Sequence, residues 1–180
     1  LGVMYERGQG VKQDYKKAIE WYEKAANQGF AKAQYNLGVM YDNGYGVKQD
    51  YKKAKEWYEK AAAQGYAPAQ SNLGSMYNFG HGVKQDYLIA KKWYEKSAAQ
   101  GFIVAQHNLG VLYAKGLGVK QDYQKAKELY EKAAAQGYTD SQNNLGNMYS
   151  NGNGVKQDFK KAKEWFEKAA AQGYALAQNN

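Results

Sequence analysis

A repeat of 36 residues is the feature that most limits what this chain can fold into. All 20 glycines fall at four fixed places in that period, so that Gly2, Gly8, Gly10 and Gly29 return as Gly38, Gly44, Gly46 and Gly65 and finally as Gly146, Gly152, Gly154 and Gly173. A strict period in this range indicates a solenoid, in which each repeat buries its apolar side against its neighbours. The 180 residues therefore predict about five stacked repeats around one continuous core.

Each repeat is predicted to form two helices joined by a turn. The second helix is the clearer one, because Asp50 is a favourable N-cap, Tyr51 to Ala63 contains no helix breaker, and Gly65 follows its end. The first helix is predicted from about Ala31 to Asn43, and the sequence GYGVKQ then forms the turn. The fold class is therefore all-α, with ten helical segments in the chain.

A glycine in the middle of each first helix needs a structural reason. Gly38 and its equivalents reduce helix stability by about 1 kcal/mol relative to alanine. A close helix crossing explains this choice, since a missing side chain lets two helices approach. We expect Ala54 of the second helix to be the partner of Gly38.

The motifs of the repeat resemble a known family. The string AKAQYNLGVMYDNGYGVKQDYKKAKEWYEKAAAQGY is similar to the Sel-one-like repeat, a helical-hairpin relative of the tetratricopeptide repeat, and the similarity extends over the whole chain. The resemblance implies a right-handed α-α superhelix (solenoid) of stacked hairpins, with the first helices on the concave side. It also implies a mostly bacterial family whose members act as interaction adaptors.

The repeat boundaries predict one repeat domain over residues 1–180. Its repeats are 1–30 (truncated), 31–66, 67–102, 103–138 and 139–174, and residues 175–180 begin a further one. We therefore expect an excerpt of a longer protein. Both chain ends are expected to expose apolar surface, which would permit head-to-tail self-stacking. No cysteine is present, so that an oxidising and a reducing compartment both remain open, and cytoplasmic and exported locations are not distinguished.

Composition and motifs argue against several kinds of function. The net charge of +8 lies on helices where lysine alternates with glutamate, which predicts a solvated face and no nucleic-acid partner. No apolar run is long enough for a membrane span. His81 and His107 without cysteine make a poor metal site, and the G-x-G turns lack the context of a phosphate loop. No cofactor is predicted. None of the five serines begins an S-x-x-K motif, so an enzyme is not predicted.

The positions that differ between repeats supply the candidate site. Within the first helix they lie on one side, and the fixed apolar positions lie on the other. By the resemblance, the variable side matches the face with which tetratricopeptide grooves hold peptides, and a bordering asparagine would hydrogen-bond an extended ligand. The predicted partner-binding residues are Arg7, Tyr35, Asn36, Asn43, Asn72, Phe79, His107, Asn108, Lys115, Asn143 and Asn144. Tyr35 and Phe79 are predicted to be apolar contacts outside the repeated core.

Three functions remain open at this point. The first is a scaffold that binds a protein or peptide on the concave face. The second is a binder or hydrolase of cell-wall or β-lactam-type small molecules, a role discussed for some relatives. The third is a structural spacer without a groove ligand, for which the variable positions would be drift at exposed sites.

Overall fold

A computed structural model describes residues 1–172, and every regular element in that range is a helix. The helices are α1 (Gly2–Arg7), α2 (Tyr15–Ala26), α3 (Ala31–Asn43), α4 (Tyr51–Ala63), α5 (Ala67–Phe79), α6 (Tyr87–Ala98), α7 (Ile103–Lys115), α8 (Tyr123–Ala135), α9 (Thr139–Asn151) and α10 (Phe159–Ala170). The ten helical segments are confirmed, and α3 and α4 begin and end at the predicted residues. Residues 175–180, predicted to begin a further repeat, lie outside the described residues.

The helix ends follow from the repeated sequence. Asp50 caps α4, since its Oδ1 accepts hydrogen bonds from the backbone N–H groups of Lys52 at 3.1 Å and Lys53 at 3.0 Å. At the other end of the first helix, Gly44 has a φ of 71°, and its N–H donates to the Met40 carbonyl. The same aspartate cap and the same left-handed glycine recur in the other repeats for which the structure gives them.

The chain divides into two compact units, with residues up to Trp93 in the N-terminal unit and residues from Tyr94 in the C-terminal unit. In the N-terminal unit α1 packs on α2 and α3 on α4, while α2 also packs on α3 and α4 on α5. In the C-terminal unit α7 packs on α8, α8 on α9, and α9 on α10. Each of the second helices α2, α4 and α8 therefore contacts two first helices, its own and the next.

The core is shared between neighbouring repeats. One cluster of the N-terminal unit joins Ala54, Tyr58, Ala61 and Ala62 of α4 to Ala69, Leu73 and Met76 of α5. Trp57, on the outer side of α4, packs against the preceding cluster, which includes Leu37 and Met40. The aromatic residues Trp57 and Tyr58 thus pack between repeats.

The expected partner of the mid-helix glycine is wrong. A Cβ on Gly38 would lie 2.4 Å from the ring of Tyr58, and Tyr58 supplies all three of the nearest atoms. The same contact joins Gly2 to Tyr22, Gly110 to Tyr130 and Gly146 to Phe166. Ala54 lies one turn away from Tyr58 on α4, and its short side chain does not reach as far as an aromatic ring. The glycine makes room for a ring, not for a second backbone.

Candidate functional site

The candidate residues lie at three depths, and the first group is exposed. Arg7, Asn43, Phe79 and Lys115 are the last residues of α1, α3, α5 and α7, and each is followed by a left-handed glycine. The side chain therefore stands at the edge where the helix stops. Phe79 is 63% exposed, which makes it one of the most exposed large apolar residues in the described chain.

Phe79 belongs to a surface stack of aromatic rings. Its ring centroid lies 5.7 Å from that of His81, and the His81 ring lies 5.0 Å from that of Tyr51. The equivalent turn residue one repeat earlier, Tyr45, stacks on Tyr15 at 5.3 Å. Stacked rings hold each other in place, so this surface is preorganised.

The sequence analysis missed His81 and Tyr51 as part of this surface. The turn position of His81 varies between repeats, and its residues are Gln9, Tyr45, His81, Leu117 and Asn153. Variation at this turn position is the sequence signal that identifies His81.

The second group, Tyr35, His107 and Asn143, occupies one repeat position that points inward. The Tyr35 ring lies 5.8 Å from that of Tyr58 and 5.3 Å from that of Tyr66. Tyr35 packs against the cluster that contains Leu73, so the expectation that it lies outside the core is wrong. Asn143 is only 7% exposed. The variable side of the first helix includes the edge that meets the following repeat.

The third group is the bordering asparagine, which has an internal partner in three repeats. Asn36, Asn72 and Asn144 form side-chain hydrogen bonds with the phenols of Tyr22, Tyr58 and Tyr130. Burial raises the pKa of these phenols well above the ordinary value. They stay protonated, and the hydrogen bond from the asparagine opposes the rise in pKa only in part. Asn108 is half-buried.

A carboxylate completes this network in two repeats. The Tyr58 hydroxyl donates to Asp42 Oδ2 at 3.0 Å, and the Tyr22 hydroxyl donates to Glu6. Burial raises the pKa of Asp42, although the hydrogen bond from Tyr58 opposes the shift. Both carboxylates accept a hydrogen bond from a buried phenol, so each one links a first helix to the second helix of the same repeat. Within residues 1–172 no group of three or more potential metal-ligating side chains occurs, and no helix there is long and apolar enough to cross a membrane.

His107 is the buried titratable group with a pH consequence. Its ring lies 5.6 Å from that of Tyr130 and 5.0 Å from that of Tyr138, and Nδ1 shares a 2.9 Å hydrogen bond with Ser141 Oγ. Burial lowers the pKa of His107, and the Asp140 carboxylate opposes this only in part. The neutral ring is therefore the form that fits the folded chain.

Acidification is expected to destabilise the protein through His107. The unfolded chain protonates this histidine near its ordinary pKa of 6.5, above the folded value, so the contribution is complete above pH 6.5 and is lost as the pH falls below it. The measurement is urea unfolding at a series of pH values between about 7.5 and 5.5.

The chain supplies the matched control for this experiment. Two repeats earlier, Tyr35 and Ala69 occupy the positions of His107 and Ser141. Tyr35 makes the same two ring contacts there. A variant with His107→Tyr and Ser141→Ala reproduces that pair without a titrating ring. Equal pH dependence in the variant and the parent would contradict the role of His107.

These features define a class of protein: helical hairpins that share a core with their neighbours and differ chiefly along one side of the first helix. The sequence profile of the Sel1 repeat family matches residues 1–30, 31–66, 67–102, 103–138 and 139–174. The chain therefore belongs to the Sel1 repeat family, and the resemblance and the all-α solenoid class are confirmed.

Solved structures show the same fold. A protective antigen of uropathogenic Escherichia coli that displays an SLR fold is 42% identical, with a TM-score of 0.91 over 98% of this chain and 38% of its own. A Sel1 repeat protein from Oxalobacter formigenes is 40% identical, with a TM-score of 0.92 over 98% of this chain and 72% of its own. An immunity protein from Pseudomonas aeruginosa is 25% identical, with a TM-score of 0.66 over 98% of this chain and 67% of its own. A search among curated proteins found no match.

The family sets the general class of function. Sel1 repeats generally form non-enzymatic scaffolds for protein interactions. The chain spans 38% of the length of the Escherichia coli antigen. The specific surface and partner are therefore matters for proposal.

Proposed function

We propose that this chain is a scaffold that binds a protein or peptide along the face formed by the first helices. The observation that carries the proposal is one exposed position at the end of these helices that has four different residue types in the five repeats. Its residues are Arg7, Asn43, Phe79, Lys115 and Asn151. Exposed aromatic and arginine side chains are those that contribute most to protein interfaces.

We propose the exposed members of the predicted set as the anchors. Phe79, Arg7 and Lys115 extend from the surface, and Phe79 is supported by the His81 ring. Tyr35, His107 and Asn143 support the surface from within, because their side chains are turned toward neighbouring rings or largely buried. Partner contacts by the asparagines at 36, 72, 108 and 144 remain part of the proposal, alongside their place in the stack.

Phe79→Ala is expected to weaken partner binding by at least about tenfold, since a central aromatic anchor contributes about 2 kcal/mol. The melting temperature should change little, because the Phe79 side chain is 63% exposed. The measurement is capture of the partner from the source cell with the parent chain, followed by titration calorimetry of parent and variant.

The control for this experiment lies on the outer side of α4, where Glu56 and Lys60 are both exposed. Glu56→Gln with Lys60→Gln leaves the net charge unchanged and is expected to bind as the parent does. If this control loses binding while Phe79→Ala retains it, the partner contacts the outer face. If no protein is captured by the parent, the chain acts as a spacer.

Head-to-tail self-association is a separate part of the proposal. Leu1, Val3, Trp21 and Phe30 line an apolar cleft of about 490 Å³ at the N-terminal end, and Leu1 and Phe30 are exposed. Residues 175–180 read ALAQNN, similar to AKAQYN at 31–36, and their sequence suits this cleft in a second copy. Sedimentation of the 180-residue chain should show a mass that increases with concentration. A monomer at all concentrations would contradict it.

A further inference from the structure

Two clefts of identical construction occur in successive repeats of the N-terminal unit, and each is lined by a tyrosine of the first helix and by the start of the second helix. Each has a volume of about 710 Å³. One is lined by Tyr41, Lys48, Asp50, Lys52 and Lys53, and the other by the residues at the same places of the preceding repeat: Tyr5, Lys12, Asp14, Lys16 and Lys17. The cleft lies where the turn meets the start of the second helix.

The following repeat supplies one wall of each cleft. Gly82, which has a φ of 67°, lies against Tyr51 so closely that a Cβ at this position would be 2.5 Å from the Tyr51 Cβ. Gly46 lies in the same way against Tyr15, at 2.7 Å. Both glycines line the clefts. A ligand in a cleft therefore contacts two successive repeats.

The charge of each cleft is positive, although Lys17 Nζ lies 3.9 Å from Asp14 Oδ2 in one of them. Each contains three lysines and one aspartate. The Asp50 carboxylate is committed to capping α4, where it accepts from two backbone N–H groups. In the described part of the chain, the ammonium groups of Lys48 and Lys52 form no ion pair. A concave surface with charges of one sign attracts a ligand of the opposite sign.

A tyrosine ring holds one of the lysines at the cleft. Lys53 Nζ lies 5.2 Å from the centroid of the Tyr41 ring, and Lys17 Nζ lies 5.5 Å from that of Tyr5. The cation–π contact orders a side chain that would otherwise lose considerable rotamer freedom on binding. Each cleft thus combines one lysine held against a ring with two exposed lysines.

We propose that the two clefts bind successive carboxylate side chains of an acidic protein segment. The lysine ammonium groups act as point charges for single carboxylates, and the only arginine of the chain, Arg7, lines neither cleft. In the third repeat Leu88 and Ile89 replace the second and third lysines, and Leu88 is 59% exposed. The positive positions of the first two repeats are therefore followed by an exposed apolar position in the third. A protein segment with both acidic and apolar side chains matches this order better than a polymer of uniform negative charge does.

The test is fluorescence anisotropy with a labelled peptide in which glutamate alternates with serine, at low salt. The parent chain should bind this peptide and should not bind the same peptide with glutamine in place of glutamate. A variant with Lys12, Lys16, Lys48 and Lys52 all changed to glutamine is expected to lose at least about tenfold in affinity, because two linked contacts reinforce each other.

The matched control changes Lys24, Lys60, Lys96 and Lys132 to glutamine, which removes the same charge from a position outside both clefts. Its loss should stay below about twofold, as for screened surface charges. Equal losses in the two variants, or no binding by the parent, would overturn the proposal. Tighter, cleft-dependent binding of a DNA duplex or polyphosphate would also overturn it in favour of a phosphate polymer. The Phe79 experiment tests the first-helix face separately, because Phe79 lines neither cleft and none of the four substituted lysines belongs to a first helix.

Discussion

Leu73→Ala is expected to lower the free energy of unfolding by about 2 to 5 kcal/mol, the usual cost of a cavity at a buried leucine. Leu73 is 0% exposed and lies in the cluster that α5 shares with α4. The substitution therefore damages the contact between two repeats as well as the helix that carries it. Urea unfolding followed by circular dichroism gives the value.

The comparison for Leu73 is Lys55→Ala on the outer side of α4. Lys55 Nζ forms an ion pair with Glu59 Oε1 at 2.7 Å, and such exposed pairs four residues apart contribute less than about 0.5 kcal/mol. The lysine substitution should therefore have little effect. Similar losses of unfolding free energy from the two substitutions would show that the buried and exposed sides of the repeat are assigned wrongly.

Gly82→Ala is expected to destabilise the protein by about 2 to 4 kcal/mol, through two additive causes. Its φ of 67° is unfavourable for any residue with a Cβ. In addition, the new methyl group would lie 2.5 Å from the Tyr51 Cβ, so the turn must move away from the preceding repeat. Thermal unfolding monitored by circular dichroism measures the loss.

Gly65→Ala separates the two causes. Gly65 also has a positive φ, of 82°, but no atom lies within 4 Å of the place of its Cβ. Only the backbone strain remains, and it should reduce stability by about 1 kcal/mol. If Gly82→Ala and Gly65→Ala prove equally harmful, the contact between the turn and Tyr51 does not contribute to stability.

The helices were predictable because their signals are local. Asp50 marks the start of α4, and Gly65 follows its end. The spacing of the apolar residues between them specifies which side of the helix is buried. The depth of each contact was not predictable in the same way. A helical wheel places Ala54 and Tyr58 on one side of α4, but only the structure shows that the long ring of Tyr58 is the group that reaches Gly38.

The candidate site was predictable only in part, for a related reason. Variation between repeats identified the side of the first helix that carries Phe79, which is exposed in the structure. The same side includes Tyr35 and His107, which turn toward rings of the same or the following hairpin. A single helix contains no information about where its neighbour lies, so variation alone did not separate surface from interior.

The contact between a turn and the preceding repeat, seen within each of the two units, has a consequence for how such a chain can change over generations. It joins a glycine to the first tyrosine of the second helix, as in Gly46 with Tyr15, Gly82 with Tyr51 and Gly154 with Tyr123. Because a glycine contacts a tyrosine in each of these pairs, the contact between two successive repeats is the same whichever repeats are joined. Recombination that duplicates, deletes or reorders whole 36-residue segments therefore yields compatible junctions. New combinations of side chains such as Phe79 can arise by shuffling, without compensating substitutions.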